Sequence, residues 1–179
     1  MSTFCFPDTT VICNYGSVGR IDLLEIYLER RGRWVESVWR ETHDATRMVF
    51  ELRRMKVQDL EHFLGPPIEI ADAAAVEDIR VGRLGASPDE PRKNLGEAQT
   101  LHLLMTDPDF KGAIWISDDR HSTSFATRRG ITTVDTTGVM ESLCASRYLS
   151  AQAGYNLLRQ MVDGGNNVRL PSSPHHLAL

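Results

Sequence analysis

The stretch Gly112 to Arg120, GAIWISDDR, constrains the fold more than any other part of the chain. An apolar run, Ala113 to Ile116, stops at Ser117 and two adjacent aspartates, Asp118 and Asp119, and a helix-like segment follows at once. A short apolar run without polar alternation reads as a strand buried on both faces, the condition of parallel sheets. In an open α/β sheet, ligands and metals bind at the carboxyl ends of the strands. Acids at that edge raise the question of whether other segments bring further acids to it.

The remaining segments alternate in the way such a sheet requires. Phe4-Cys5-Phe6 runs into Pro7 to Ile12 as a buried strand followed by a polar turn, with Pro7 tolerable only at the strand's end. Ile21 to Leu28 reads as a helix closed by Arg30, Arg31 and Gly32, and Trp34-Val35 as a brief second strand. Ser37 can cap a long helix to about Met55, in which Val38, Thr42, Ala45, Met48, Val49 and Leu52 share a stripe opposite Arg40, Arg47, Glu51 and Arg54. Val57–Leu64 reads as a helix, Ile68-Glu69-Ile70 as an edge strand, Ala71–Leu84 as a small-residue helix, 86–94 as a loop and Leu95–Met105 as a helix. After the opening strand come a helix over Asp119–Arg129, a strand over Ile131–Val134, and helices over Val139 to about Leu149 and Ser150–Val162. The pattern predicts a single α/β domain over residues 1–163, with a mostly parallel sheet of four to five strands flanked by helices. Residues 164–179 read as a polar, mobile tail.

Composition removes several function classes. No terminal segment has the pattern of a signal peptide and no apolar run approaches a membrane span, so a cytoplasmic protein is expected. Cys5, Cys13 and Cys144 are an odd count without metal-like spacing and fit reduced, buried thiols. The net charge is −4, and the whole excess lies in residues 61–100, which hold eight acids against four bases. There is no broad basic footprint for nucleic acid, so a polyanion partner needs a local basic cluster or a bound cation.

Four acidic positions stand out. Asp8 follows the first apolar strand as Asp118 follows a later one; either also suits a turn or a helix cap. Glu41 falls between Leu52 and Met48 on the helical wheel, inside the apolar stripe, where a carboxylate is costly unless paired with an arginine or a cation. Glu97 lies between Leu101 and Leu104 on its own helix, although Asn94-Leu95-Gly96-Glu97 also resembles a capping box. If the fold gathers these acids, each close pair repels by roughly 4 kcal/mol at ~4 Å in an effective dielectric of ~20. A hard divalent cation relieves that repulsion, and an all-oxygen ligand set favours Mg²⁺ or Mn²⁺. No Cys/His cluster offers zinc instead, and His175 and His176 lie in the polar tail. A dehalogenase-like phosphatase built on Asp8 would need an acid two residues on, where Thr10 stands.

Taken together, these segments resemble the PIN-domain family. The matching pieces are FPDTTVICNYGSVGRIDLL, WVESVWRETHDA, LGEAQTLHLL, GAIWISDDRHSTSFATRRGITTVDTTGVMESL and YLSAQAGYNLLRQMVDGGNNVRLP, spanning about residues 4–171. The resemblance implies a compact α/β metal-dependent ribonuclease. In it Asp8, Glu41, Glu97 and the Asp118-Asp119 pair are the catalytic acids, with Asp8, Glu97 and Asp118 or Asp119 holding the metal and Ser117 the expected small hydroxyl residue. Asp119 is the better match of the pair. It further implies cleavage of RNA to a 3′-hydroxyl and a 5′-phosphate and a homodimer, and, because small proteins of this kind are often toxins, a small antitoxin partner. The alternatives are an RNA-processing nuclease without an antitoxin and a non-catalytic binding module that keeps the acids for a structural ion. The helices over Val139–Val162 carry apolar residues that a dimer or the core would use equally well. For phosphate contact, Arg120 beside the acids and Ser122 and Thr123 on the following turn are the candidates. Three departures from the family pattern are Pro7 before the first acid, Asp135 where glycine is common, and the long acidic 86–94 loop.

Overall fold

The computed structural model of the chain describes residues 3–49, 52–53 and 57–177. Strands β1 (Cys5–Pro7), β2 (Ile114–Ile116) and β3 (Thr132–Val134) form one sheet in that order, each pair parallel. Cys5 lies opposite Ile114 and Pro7 opposite Ile116, while Ile114 and Ile116 lie opposite Thr132 and Val134. Because all three strands point the same way, their carboxyl ends share one edge. Asp8 follows β1 directly, Ser117-Asp118-Asp119 follow β2, and Asp135 follows β3.

Around the sheet lie helices α1 (Thr9–Ser17), α2 (Ile21–Leu28), α3 (Glu36–Met48), α4 (Val57–Leu64), α5 (Ala73–Gly82), α6 (Leu95–Thr106), α7 (Arg120–Arg128), α8 (Thr136–Ala145) and α9 (Ala151–Asp163). The fold is α/β as expected, but among the described residues the sheet has three strands rather than four to five. The two missing strands survive as single parallel bridges, Cys5 with Gly32 and Val35 with Ile68. Backbone chemistry stops both. Cys5 N–H donates to Arg31 O and Arg33 N–H to Cys5 O, so the next donor from β1 would be residue 7, and proline has no N–H. On the other side, Ile68 N–H donates to Trp34 O and Glu36 N–H to Ile68 O. That ladder ends because Glu36 already begins α3 and Pro66 cannot donate.

Trp115 at the centre of β2 is fully buried, with Phe6, Val11, Ile12, Tyr15, Leu101, Val139 and Met140 in the same core. Residues Thr9 to Ile12, read from sequence as strand end and turn, instead open α1. Their β-branched side chains disfavour a helix in isolation, but burying Val11, Ile12 and Tyr15 on one face overrides that weak propensity. In α3, Val38 and Thr42 are buried as the stripe requires, yet the helix ends at Met48, which is 82% exposed, and Val49 turns extended. The expected continuation falls partly on residues 50–51 and 54–56, which lie outside the described residues. The apolar residues Val139, Met140, Leu143, Leu158 and Met161 of α8 and α9 all go into the core of the single chain. Cys5 and Cys144 are buried, Cys13 is half-buried, and all three are unpaired. Among the described residues, no helix is long and apolar enough to cross a membrane.

Two segments that composition reads as irregular are tied to the domain. Residues 164–177 run back across the acidic edge: Val168 and Leu177 are buried, and Asn166 Nδ2 donates to Ser17 Oγ at 3.1 Å. Thr137 Oγ1 donates to Arg169 O, and the Arg169 guanidinium forks onto Asp135 at 2.7 and 3.2 Å. Asp135, the unexpected replacement for glycine, therefore caps α8 through Gly138 N–H and anchors this segment at once.

The 85–94 loop is organised by Arg80, whose side chain is almost wholly buried. Its Nη1 donates to the carbonyls of Ser87 (3.2 Å), Glu90 (2.7 Å) and Lys93 (3.4 Å), while Nε and Nη2 grip Glu77 at 2.8 Å each. That loop delivers Asn94 and the start of α6, so Arg80 indirectly sets where Glu97 begins. Only a planar fork with several donors fills this role, and an ammonium cannot. Arg80→Met is expected to lower unfolding free energy by about 1–3 kcal/mol, the cost of stranding buried carbonyls, with Arg80→Lys recovering little of it. Urea denaturation of the three proteins checks this, and unchanged midpoints would contradict it.

Candidate functional site

Each acid reaches the edge from a different element. Asp8 sits at the junction of β1 and α1, where its N–H extends the ladder to Ile116 O at 2.8 Å. Its side chain is buried and accepts from Thr10 Oγ1 at 2.8 Å, without a side-chain cap bond to the helix backbone. Glu41, on the inner face of α3, accepts from Thr9 Oγ1 at 2.8 Å, which places it beside Asp8. Its carboxylate lies against α6: a Cβ on Gly96 would meet Glu41 Oε2 at 3.2 Å and Oε1 at 3.3 Å. A side chain at 96 would therefore crowd Val38 and the Glu41 carboxylate where α3 and α6 come close. The arginine pairing that could have explained Glu41 does not occur among the described residues, since Arg40 pairs with Glu36 instead.

Glu97 stands in the first turn of α6. The capping-box reading fails because Asn94, at φ 58°, donates its side chain to Leu84 O at 3.1 Å rather than capping the helix. Asp118 and Asp119 divide their labour. Asp118 Oδ1 accepts from Thr136 N–H at 2.9 Å, and its Oδ2 accepts from Asn14 Nδ2 at 2.8 Å and Thr136 Oγ1 at 2.6 Å. Asp119 uses one oxygen, Oδ1, to cap α7 through Ser122 N–H at 2.6 Å, is exposed, and faces Glu97 closely enough to perturb it. Asp118 is a lock between β2, α1 and α8, whereas Asp119 presents a carboxylate to the opening.

The electrostatics follow from this crowding. Burial pushes Glu97 up to about 8 from an ordinary 4.5, and repulsion from Asp8, Glu41 and Asp119 adds to it. Burial likewise pushes Glu41 up to about 7, assisted by the charge on Asp8 and opposed by the Thr9 hydroxyl and Gly96 N–H. Asp8 is raised mainly by burial and also by Asp118, against the pull of Thr10. Asp118 is raised by burial despite the hydrogen bonds from Thr136 and Asn14. Even the Cys13 thiol is pushed to about 12 by burial and by the charges on Asp8 and Glu41. Among the described residues no lysine or arginine pairs with any of these five acids.

The chain was compared with protein-family models, curated proteins and solved structures, and nothing matches it. The site is therefore read from its own chemistry. The donors are all oxygen, uncompensated and mutually repelling, which suits a hard divalent cation. Closure is incomplete: among the described residues no three His, Cys, Asp or Glu side chains stand close enough to enclose one ion. Two carboxylates with water filling the rest of the shell is the coordination Mg²⁺ commonly adopts.

The expected phosphate contacts divide. Arg120 is exposed at the first residue of α7, but Ser122 is buried and its N–H is taken by Asp119, which removes it from the substrate-facing surface. Thr123 Oγ1 donates to Asp119 O at 2.7 Å. His175 and His176 are exposed on the far segment. Sequence reasoning missed Thr9, Thr10, Asn14 and Thr136, which hold the acids, and missed Gly165 to Asn167. That last run joins Thr10, Asn14, Asp118 and Asp119 around a cavity of about 280 Å³. Asn14 had a signal: on α1 it lies on the buried face with Val11 and Tyr15, an odd place for a carboxamide without a partner.

Because Glu41 and Glu97 bind protons more tightly folded than unfolded, the folded chain retains protons that the unfolded chain has lost. Their stabilising contribution is complete below about 4.5 and is lost as pH rises through about 7 and 8. In chelator, the thermal midpoint is expected to fall between pH 5 and pH 8, roughly the window those shifts define, and millimolar Mg²⁺ should flatten the fall. A midpoint that rises across the window would contradict the electrostatics described.

Proposed function

We propose that the chain is a metal-dependent endoribonuclease of the PIN type, with its active site at the carboxyl edge of the three-stranded sheet. One observation supports the reading: acids from the β1–α1 junction, α3, α6 and the β2–α7 turn crowd a single edge, and among the described residues none of them is paired with a lysine or arginine. Such a cluster is costly to fold unless a cation completes it.

In this reading two of the carboxylates Asp8, Glu97 and Asp119 would bind Mg²⁺ or Mn²⁺ directly, with water filling the rest of the shell and carrying the contact to the third. The ion supplies Lewis-acid polarisation of a phosphoryl oxygen and lowers the pKa of a bound water. Asp118 keeps the β2 end in register with α1 and α8, through Asn14 and Thr136. Glu41, fixed by Thr9, orients the attacking water, and Arg120 offers charge to the phosphate chain. With Glu41 and Glu97 raised toward neutral pH, their protons would compete with a cation, so affinity would rise with pH. A toxin role, with a small antitoxin partner, extends the same proposal. It predicts growth arrest on expression, relieved by loss of a catalytic acid.

The two aspartates give the sharpest test. Asparagine is a good helix cap, so Asp119→Asn keeps α7 while removing the charge. It is expected to leave the thermal midpoint within a few degrees and to cut Mn²⁺-dependent cleavage of a mixed RNA pool by on the order of a hundredfold or more. Asp118→Asn instead sets an amide among three donors and is expected to cost about 1–3 kcal/mol of stability. Single-turnover assays and calorimetry on both variants check this. An inert wild type whose stability still responds to Mn²⁺ would make the edge a structural ion site and the chain a non-catalytic binding module.

A further inference from the structure

Beside the acidic edge, between α3 and the start of α6, lies a cleft of about 290 Å³ that the acid cluster does not explain. Glu41 lines the cleft and also belongs to the acid cluster, so the two adjoin. Trp39 and His43, one turn apart on α3, stack with ring centroids 5.6 Å apart and planes 21° from parallel. The indole is held in place by Nε1 donating to Glu61 Oε1 at 2.9 Å. Leu95 lines the opposite side, and the guanidinium groups of Arg40 and Arg92 stand at the rim. Among the described residues each guanidinium pairs with a surface acid, Arg40 with Glu36 at 2.5 Å and Arg92 with Asp44 at 3.6 Å. Exposed pairs of that kind are worth little and yield readily to a phosphate.

We propose that this cleft is a nucleotide subsite, in which an unpaired base of an RNA strand stacks on the Trp39–His43 pair while Arg40 and Arg92 take the flanking phosphates. The proposal rests on the nuclease reading of the acidic edge and names its substrate class as single-stranded RNA. The chemistry favours a base over a peptide. Flat ring faces bounded by guanidinium forks match a π-face and a phosphodiester, whereas a peptide needs backbone donors and acceptors along the groove. A duplex is excluded because its bases are already stacked on one another.

The chain carries its own reporter. Of its three tryptophans, Trp34 and Trp115 are buried at 1% and 0% exposure, so quenching by a stacked base reads Trp39. The experiment titrates a short mixed-sequence single strand, and the same strand in duplex, into the Asp119→Asn protein. Binding is followed by tryptophan fluorescence and by anisotropy of a labelled strand. The single strand should quench and the duplex should not. His43→Ala and Arg92→Ala, both at partly or fully exposed positions, should each weaken binding on the order of tenfold, and Trp39→Phe should retain most of it. Strand binding without quenching, unaffected by His43→Ala, overturns the subsite while RNA cleavage by wild type leaves the nuclease reading standing. Quenching by a basic peptide but not by RNA assigns the cleft to a protein partner and overturns it as well. If wild type neither binds nor cleaves RNA, subsite and nuclease reading fall together.

Discussion

Crowded carboxylates that no lysine or arginine pairs with among the described residues are the constraint on which the rest of this structure turns. Asp8, Glu41, Glu97 and the adjacent Asp118 and Asp119 come from four parts of the chain, and burial raises the first four above their ordinary values, helped by Asp118 at Asp8, by Asp8 at Glu41 and Glu97, and by Asp135 at Asp118. A fold selected for stability alone would separate such groups or set arginines between them. Here the arginines nearby pair elsewhere, Arg40 with Glu36 and Arg169 with Asp135. Hydroxyls and one carboxamide do the local satisfying: Thr9 for Glu41, Thr10 for Asp8, Thr136 and Asn14 for Asp118. Neutral donors offset part of the burial cost and add no positive charge to the edge.

The surrounding architecture serves that edge. Pro7 ends the outer ladder at the residue before Asp8, and Asp8 then turns into α1. Gly96 lets α6 come close enough for Glu41 to lie over it. Arg80 fixes the loop from which α6 starts, and Asp135 holds the segment that walls the opening on the Asp118 side.

Much of this was legible in the chain. The β2 run and its terminal acids appear where the sequence places them, whereas Glu41 is half-buried against Thr9 and α6 and not between Met48 and Leu52, since Met48 is exposed and Leu52 lies beyond the helix. Two kinds of information were not local enough to read. Thr9 to Ile12 carry strand-like side chains, so α1 and the role of Asn14 became visible only with the core they pack against. The strand at Trp34-Val35 has the right side chains, but its pairing is limited by the missing N–H groups of Pro7 and Pro66, which lie on the neighbouring segments and not in the strand itself. The division of Asp118 from Asp119 was likewise invisible, because it depends on Thr136 and Ser122 as partners.

The most direct measurement is paramagnetic broadening of backbone amide resonances by substoichiometric Mn²⁺. A cation seated among these acids broadens the amides of Thr9, Thr10, Glu97 and Asp119 first, spares Ala113 and Ile131 at the opposite end of the sheet, and loses this pattern in Asp8→Asn. Broadening centred elsewhere, or an identical pattern in Asp8→Asn, would contradict a cation site at the carboxyl edge.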